Sequence, residues 1–167
     1  MPTASSQSAS RTQRTKELDA IELLENDHKE VKSLFRKFNK LAEAGADAKE
    51  REALALQICS MLTVHAQIEE EILYPEARDV VPDEGLVKEA IVEHASAKDL
   101  IAQIESMDPK DEMYDAKVKV LGEYIDHHVK EEEEELFPKI RRRMDIRDAG
   151  MRLKARKDEL TAGAASH

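Results

Sequence analysis

One stretch occurs twice in this chain and limits what it can fold into. His65-Ala66-Gln67-Ile68-Glu69-Glu70-Glu71-Ile72-Leu73-Tyr74-Pro75 is matched by His128-Val129-Lys130-Glu131-Glu132-Glu133-Glu134-Glu135-Leu136-Phe137-Pro138, and both copies read His-x3-Glu-Glu-Glu-x-Leu-aromatic-Pro. On a helix, a His followed four residues later by a Glu sets an imidazole and a carboxylate one turn apart on a single face. A helix built that way offers two metal ligands at once.

The rest of the sequence agrees with helices. Aromatic residues make up only 4%, there are five Gly and five Pro, and Ala, Leu, Glu, Lys and Arg are plentiful, a composition that favours an all-α chain. A length of 167 residues supports one domain with a real core. The expected organisation is a disordered arm over 1–17, a four-helix bundle over 18–143, and a short basic helix with a frayed tail over 144–167. The arm is expected to be disordered because, to about Lys16, it has no large apolar side chain to offset the entropy of ordering.

Within the bundle, the apolar stripes carry histidines. The first helix should start at Asp19, an N-cap with Glu22 three residues on, and its stripe runs Ile21, Leu24, His28, Val31, Phe35, Phe38, Ala42. Gly45 breaks it, and Asp47 with Glu50 offers a second capping box. The second helix faces inward with Leu54, Ile58, Met61, Leu62, His65, Ile68 and Ile72, and ends near Pro75 to Arg78. After the turn at Pro82 and Gly85, the third carries Val87, Ala90, His94, Ala97, Ile101 and Ile104. Asp108-Pro109 closes it. The fourth, from about Lys110, faces inward with Tyr114, Leu121, Ile125, His128 and Glu132 until Pro138 stops or kinks it. A fifth helix from Asp145 to about Leu160 has Ile146, Ala149 and Leu153 at helical spacing.

Short connections make neighbouring helices antiparallel, giving an up-down-up-down antiparallel four-helix bundle of two pseudo-twofold halves. At about 1.5 Å rise per residue, His28, His65, His94 and His128 fall in one layer, with Glu69 and Glu132 beside them. A single histidine on an apolar face is ordinarily a hydrogen-bonded core residue. Four of them with two carboxylates are costly to bury unpaired, and a metal centre satisfies all six together. His–Glu pairs filling the core without metal are the alternative account.

Neighbouring residues receive plainer readings. His127 is rotated by about 100° from His128 and belongs at the flank, while Glu131, Glu133 and Glu134 read as a solvated face. Tyr124 projects toward the core one turn before His128. Cys59 packs as a small apolar residue, and His167 lies in the frayed tail. With one cysteine, no leader-like or membrane-spanning run and a formal net charge of -10, the expected compartment is the cytoplasm, and neither nucleic acid nor a membrane is an expected partner.

An imidazole and carboxylate set without thiolates suits iron, manganese or zinc. Two bridging carboxylates and two imidazoles per metal describe a dinuclear centre, with a bridging oxide or hydroxide to balance charge.

His28, His65-x3-Glu69, His94 and His128-x3-Glu132, with Leu-Tyr-Pro and Leu-Phe-Pro after the two pairs, resemble the hemerythrin-like, HHE cation-binding family over about Asp19 to Arg143. The resemblance implies a non-haem di-iron centre in a four-helix bundle, with Glu69 and Glu132 bridging, His28 and His65 on one iron, and His94 and His128 on the other. Oxygen-carrying members have a second histidine one turn after that of the third helix, and here that position is Lys98. Their last carboxylate lies five residues after its histidine, whereas Glu132 lies four after, with Glu133 at five. These departures imply a more open site. The expected function is binding of dioxygen, nitric oxide or iron for sensing, storage or scavenging; the alternative is a di-iron oxidoreductase that consumes hydrogen peroxide or nitric oxide. A third reading has the basic segment from Lys139 to Lys157 dock an acidic partner. The sequence leaves the oligomeric state open.

Overall fold

A computed structural model describes residues 17–165; the expected disordered arm and His167 lie outside or almost wholly outside that range. The described residues contain helices and no strand. Helix α1 spans Ala20–Glu43, with the Asp19 side chain accepting from the Glu22 amide at 2.8 Å. It closes on Gly45 at φ 67°, where the Gly45 and Ala46 amides return to the Ala42 and Leu41 carbonyls. Only a residue without Cβ takes that left-handed turn cheaply.

Helix α2 spans Ala48–Ile68 and α3 spans Tyr74–Val80, joined without a break by a wide π-helical turn, Glu69–Leu73. Asp47 is the N-cap of α2, but its side chain makes no capping bond, so the expected second capping box is absent. The sequence's third helix is α4, Glu84–Ser106. The fourth is α5, Tyr114–Glu131, continued by a second π-helical turn, Glu132–Leu136, and by α6, Phe137–Arg143.

The second helix was expected to end near Pro75 to Arg78 and the fourth to stop or kink at Pro138, yet the helices run on past both prolines, to Val80 and Arg143. The wide turns explain this. A helical proline lacks an amide and crowds the carbonyl four residues back; here the residue before each proline bonds five residues back instead, Tyr74 to the Glu69 carbonyl and Phe137 to that of Glu132.

Helix α1 packs on α2 and α5, and α4 on α5 and α2, so the four long helices close a ring. Two apolar clusters fill it. One holds Leu24, Ile68, Tyr74, Val87 and Phe137; the other holds Val31, Phe35, Ile58, Leu62, Ile101 and Leu121. Cys59 is buried in the second, and burial pushes its thiol up to about 12, so it packs as a small apolar residue.

Helix α7, Ile146–Ala165, reaches five residues beyond the expected end and lies across α1, α2 and the first π turn. Ala149 and Leu153 are buried beneath it. Gly150 allows the close approach, because a Cβ there would sit 2.6 Å from the Leu18 carbonyl oxygen and 2.7 Å from the Ala20 nitrogen. The basic side chains of α7 meet the bundle itself: Arg152 reaches Glu76 at 2.8 Å, Arg156 reaches Glu71 at 2.8 Å, and Lys157 reaches Asp27 at 2.6 Å. Much of the charge expected to dock an acidic partner is used inside the chain. Among the described residues, no helix is long and apolar enough to cross a membrane.

Candidate metal centre

Each long helix carries one histidine at the level where one apolar cluster gives way to the other. His28 follows Leu24 and precedes Val31; His65 lies between Leu62 and Ile68; His94 between Ala90 and Ala97; His128 beside Ile125 and Val129. The structure brings all six sequence-predicted side chains into that layer. His28, His65, His94 and His128 are buried, and Glu69 and Glu132 are 0% and 2% exposed.

The Nε2 atoms converge. Those of His28 and His65 lie 3.2 Å apart and those of His94 and His128 lie 3.1 Å apart. Glu132 spans both pairs, with Oε1 3.4 Å from His28 and Oε2 3.2 Å from His128. Glu69 Oε1 stands 3.0 Å from His65 and 3.4 Å from His94. The imidazoles thus stand as two pairs, His28 with His65 and His94 with His128, with Glu69 and Glu132 each reaching both.

A second ring of carboxylates faces the outer nitrogens. His65 Nδ1 lies 3.0 Å from Asp27, His94 Nδ1 3.1 Å from Glu70, and His128 Nδ1 2.9 Å from Glu93. Glu133 is farther from His28 Nδ1, at 3.7 Å. An Nδ1–H held by a carboxylate fixes the ring and leaves the Nε2 lone pair facing inward, as metal-binding imidazoles require. Sequence reasoning missed these groups and placed Glu133 on a solvated face. The signal was present in the repeat: an acid precedes His28 and His94, and a second glutamate follows Glu69 and Glu132.

The π turns bring two more side chains inward. Five residues separate Glu69 from Tyr74 and Glu132 from Phe137, and the extra residue in the turn lets both members of each pair face the core. The Tyr74 hydroxyl donates a short hydrogen bond to Glu132 and stands 3.3 Å from His94 Nε2. Phe137 stacks on His28, with ring centroids 6.0 Å apart and planes within 2°. Such wide turns are frequent at functional sites. Tyr124, expected to project toward the core, is 50% exposed. The buried face of α5 is centred nearer Ile125 and Val129, about 50° around the helix from His128, and Tyr124 falls off its far side. Lys98 is half-exposed and bonds Glu70 at 2.7 Å, while His127 is at the flank as expected.

Burial opposes charge throughout the layer, but the pairings prevail. For His65, desolvation is outweighed by the charge of Glu69, the bond to Asp27 and the charge of Asp27, which raise it to about 10. For His128, desolvation is outweighed by Glu132 and, less strongly, by Glu69 and Glu93, again to about 10. Glu132 is held well below the usual carboxylate range by His128 despite its burial. Burial and then the charges of Glu132 and Glu69 push the Tyr74 phenol up, so it remains a proton donor.

Both oxygens of Glu69, Oε1 of Glu132 and Nδ1 of His28 are buried without a hydrogen-bond partner. Such orphans cost on the order of 1–3 kcal/mol each, and more when charged. A cation among the inward Nε2 atoms would satisfy the Glu69 and Glu132 oxygens, whereas Nδ1 of His28 faces outward toward Glu133. Glu69, His94, His128 and Glu132 present one donor atom each within 4.8 Å of one another, as do His28, His65 and Glu132. The donor set and the orphaned oxygens fit a metal centre.

Comparison with known proteins agrees with that chemistry. A "DNA nickase" of Nostoc sp. is 32% identical over 125 residues, 75% of this chain but only 34% of that protein, so the chain spans about a third of that relative's length. The crystal structure of a hemerythrin HHE cation binding domain-containing protein from Mycobacterium kansasii superposes with a TM-score of 0.75 at 22% identity, covering 89% of this chain and 91% of that one, and shares the fold. The family description "Hemerythrin HHE cation binding domain" matches residues 19–140, which contain every histidine and carboxylate of the buried layer. This chain belongs to the hemerythrin HHE cation-binding domain family.

Proposed function

We propose that the chain is a non-haem di-iron protein whose centre binds a small ligand, dioxygen or nitric oxide, for sensing or scavenging. His28 and His65 hold one ion, His94 and His128 the other, and Glu69 and Glu132 bridge them with an oxide or hydroxide. Iron is proposed over manganese and zinc. The helices take the up-down-up-down order that their short connections favour, and the compartment is the cytoplasm. Nucleic acid is left out, since a formal net charge of -10 repels phosphate.

One observation carries the small-ligand reading. A cavity of about 30 Å³ abuts all four histidines and is otherwise walled mainly by apolar side chains, among them Val31, Leu62, Ala97, Ile101 and Ile125. A small ligand fits that space. Lys98 lies at this cavity too, but its ammonium is held by Glu70 and it closes no coordination position as a histidine would.

When bound, iron supplies Lewis acidity and reversible electron transfer. The chain's own residues hold the imidazoles in the metal-binding tautomer, exclude bulk water and keep a proton at Tyr74. That hydroxyl, beside Glu132, favours the second reading, an oxidoreductase consuming hydrogen peroxide or nitric oxide.

Metal content on protein purified in air, with optical spectra before and after reduction and after addition of dioxygen or nitric oxide, tests the proposal. About two irons per chain and a spectrum that returns on removal of the gas are expected. Metal content unchanged in His65→Ala and Glu132→Ala refutes the ligand assignment, and catalytic loss of excess peroxide favours the oxidoreductase.

A further inference from the structure

The outer nitrogens of the four histidines are not held alike. Asp27, on α1, faces α7, with Oδ2 3.0 Å from His65 Nδ1 and Oδ1 accepting from the Lys157 ammonium at 2.6 Å. Its side chain is 7% exposed and that of the lysine 34%, so a chain of bonded groups runs from the C-terminal helix, through a buried carboxylate, to a donor of the buried layer. Arg156, the residue before, binds Glu71 at 2.8 Å, in the same π turn as Glu69. Helix α7 thus touches the supports of two donors from consecutive positions.

The other three nitrogens differ. Glu133 stands 3.7 Å from His28 Nδ1, beyond hydrogen-bond reach. Glu93 turns its second oxygen to the exposed His127, at 3.6 Å. Glu70 repeats the arrangement of Asp27 with Lys98 at 2.7 Å, but these two side chains are 28% and 48% exposed, and water screens such a pair. The Lys157–Asp27 pair is the most enclosed of these.

We propose that Lys157 is a positioning residue for the metal centre: acting through Asp27, it sets how strongly His65 donates to its ion, and so raises the reduction potential of that ion. This rests on the reading of the buried layer as a di-iron centre. A carboxylate on Nδ1–H draws on the proton and makes the imidazole a stronger donor, which favours the ferric over the ferrous ion. An ammonium on the other carboxylate oxygen takes up part of that negative charge in a charge-assisted bond, and a pair this enclosed is screened little by salt. Lys157 therefore opposes Asp27, and its loss leaves His65 the stronger donor. Docking of α7 becomes part of what tunes the centre.

Iron-loaded wild type, Lys157→Met and Lys157→Arg would be reduced stepwise in the presence of redox mediators, and the midpoint read from the absorbance of the ferric protein. Lys157→Met is expected to favour the ferric state about tenfold, which is about 59 mV for one electron, and Lys157→Arg to restore the wild-type midpoint. Lys154→Met removes the same charge from α7 at an exposed pair with Asp158 and should leave the midpoint unchanged. In an Asp27→Asn background, Lys157→Met should add no further shift, because the lysine acts through that carboxylate. A Lys157→Met midpoint equal to that of wild type, or a shift that persists in full with Asp27→Asn, overturns the role of Lys157 and leaves the centre standing. A wild type that takes up no iron overturns the di-iron reading and the inference with it.

Discussion

Loading the centre should release protons, and the amount follows from the geometry. Without metal, His65 and His128 titrate at about 10, held there by Glu69, Asp27 and Glu132 against burial, so at pH 7.5 both carry a proton. A metal ion needs their Nε2 lone pairs and must displace those protons. Binding of a metal pair is thus expected to release about two protons per chain from these imidazoles, with any more coming from water that becomes the bridge, and apparent affinity to rise at least about 100-fold per pH unit between pH 7 and 9, tenfold for each proton. Titrating metal-free protein with Zn2+ in dilute buffer with a pH indicator measures the release directly. Calorimetry in buffers of different ionisation heat checks it. Release of no protons at pH 7.5 would refute the argument, because the imidazoles would then already be neutral. The same shifts act on folding with a definite sign. His65 and His128 have raised values, so their stabilisation of the metal-free chain is complete below about 6.5 and is lost as pH rises through about 10. Asp27 and Glu132 have lowered values, so theirs is present above the ordinary carboxylate range and is lost on acidification below it. Metal-free protein should be most stable between these limits.

Three further outcomes are expected. Asp27→Asn removes the charge that holds His65 Nδ1 at 3.0 Å and Lys157 at 2.6 Å, and metal affinity measured by chelator competition should fall on the order of tenfold or more; a change below twofold would remove Asp27 from the site. Tyr74→Phe leaves Glu132 Oε2 with only its imidazole contact and should destabilise metal-free protein by about 1–3 kcal/mol in urea melts, while metal content persists; if peroxide is consumed, turnover should drop with it. Gly150→Ala forces a Cβ against the backbone of Leu18 and Ala20, and thermal melts should show a loss of about 1–3 kcal/mol as α7 shifts; an unchanged melt would mean that α7 is not docked as described.

The inward histidines were legible because a 3.6-residue period is robust over long helices. Every apolar stripe position named on α1 up to Phe38, and all those on α4, are buried. The repeat identified Glu69 and Glu132 for the same reason. What escaped was the register within the π turns and the carboxylates one layer out. Regular stepping of about 100° per residue directs Ile72 inward, whereas the wide turn buries Leu73 and Tyr74 and leaves Ile72 half-buried. No propensity announces a π turn, although a proline that fails to end a helix is its trace. Asp27, Glu70 and Glu93 were passed over because carboxylates on a helix edge ordinarily face water, and their partners sit on other helices. Tyr124 was misjudged because a residue one turn before a buried one shares its face only if the buried one is central, and His128 lies at the edge of its stripe.

Several groups around the histidines do not respect the repeat that supplied them. Glu70 and Tyr74, from the first copy, hold His94 and Glu132 of the second. Phe137 and Glu133, from the second, stack on His28 of the first and face its outer nitrogen. Asp27 and Glu93 orient His65 and His128 within their own halves, but each half still relies on the other for the groups beside its remaining histidine. A helix pair from this chain has the composition of half a site but the wiring of an exchanged dimer, and joining both pairs in one polypeptide fixes their effective concentration without asking either to fold around metal alone.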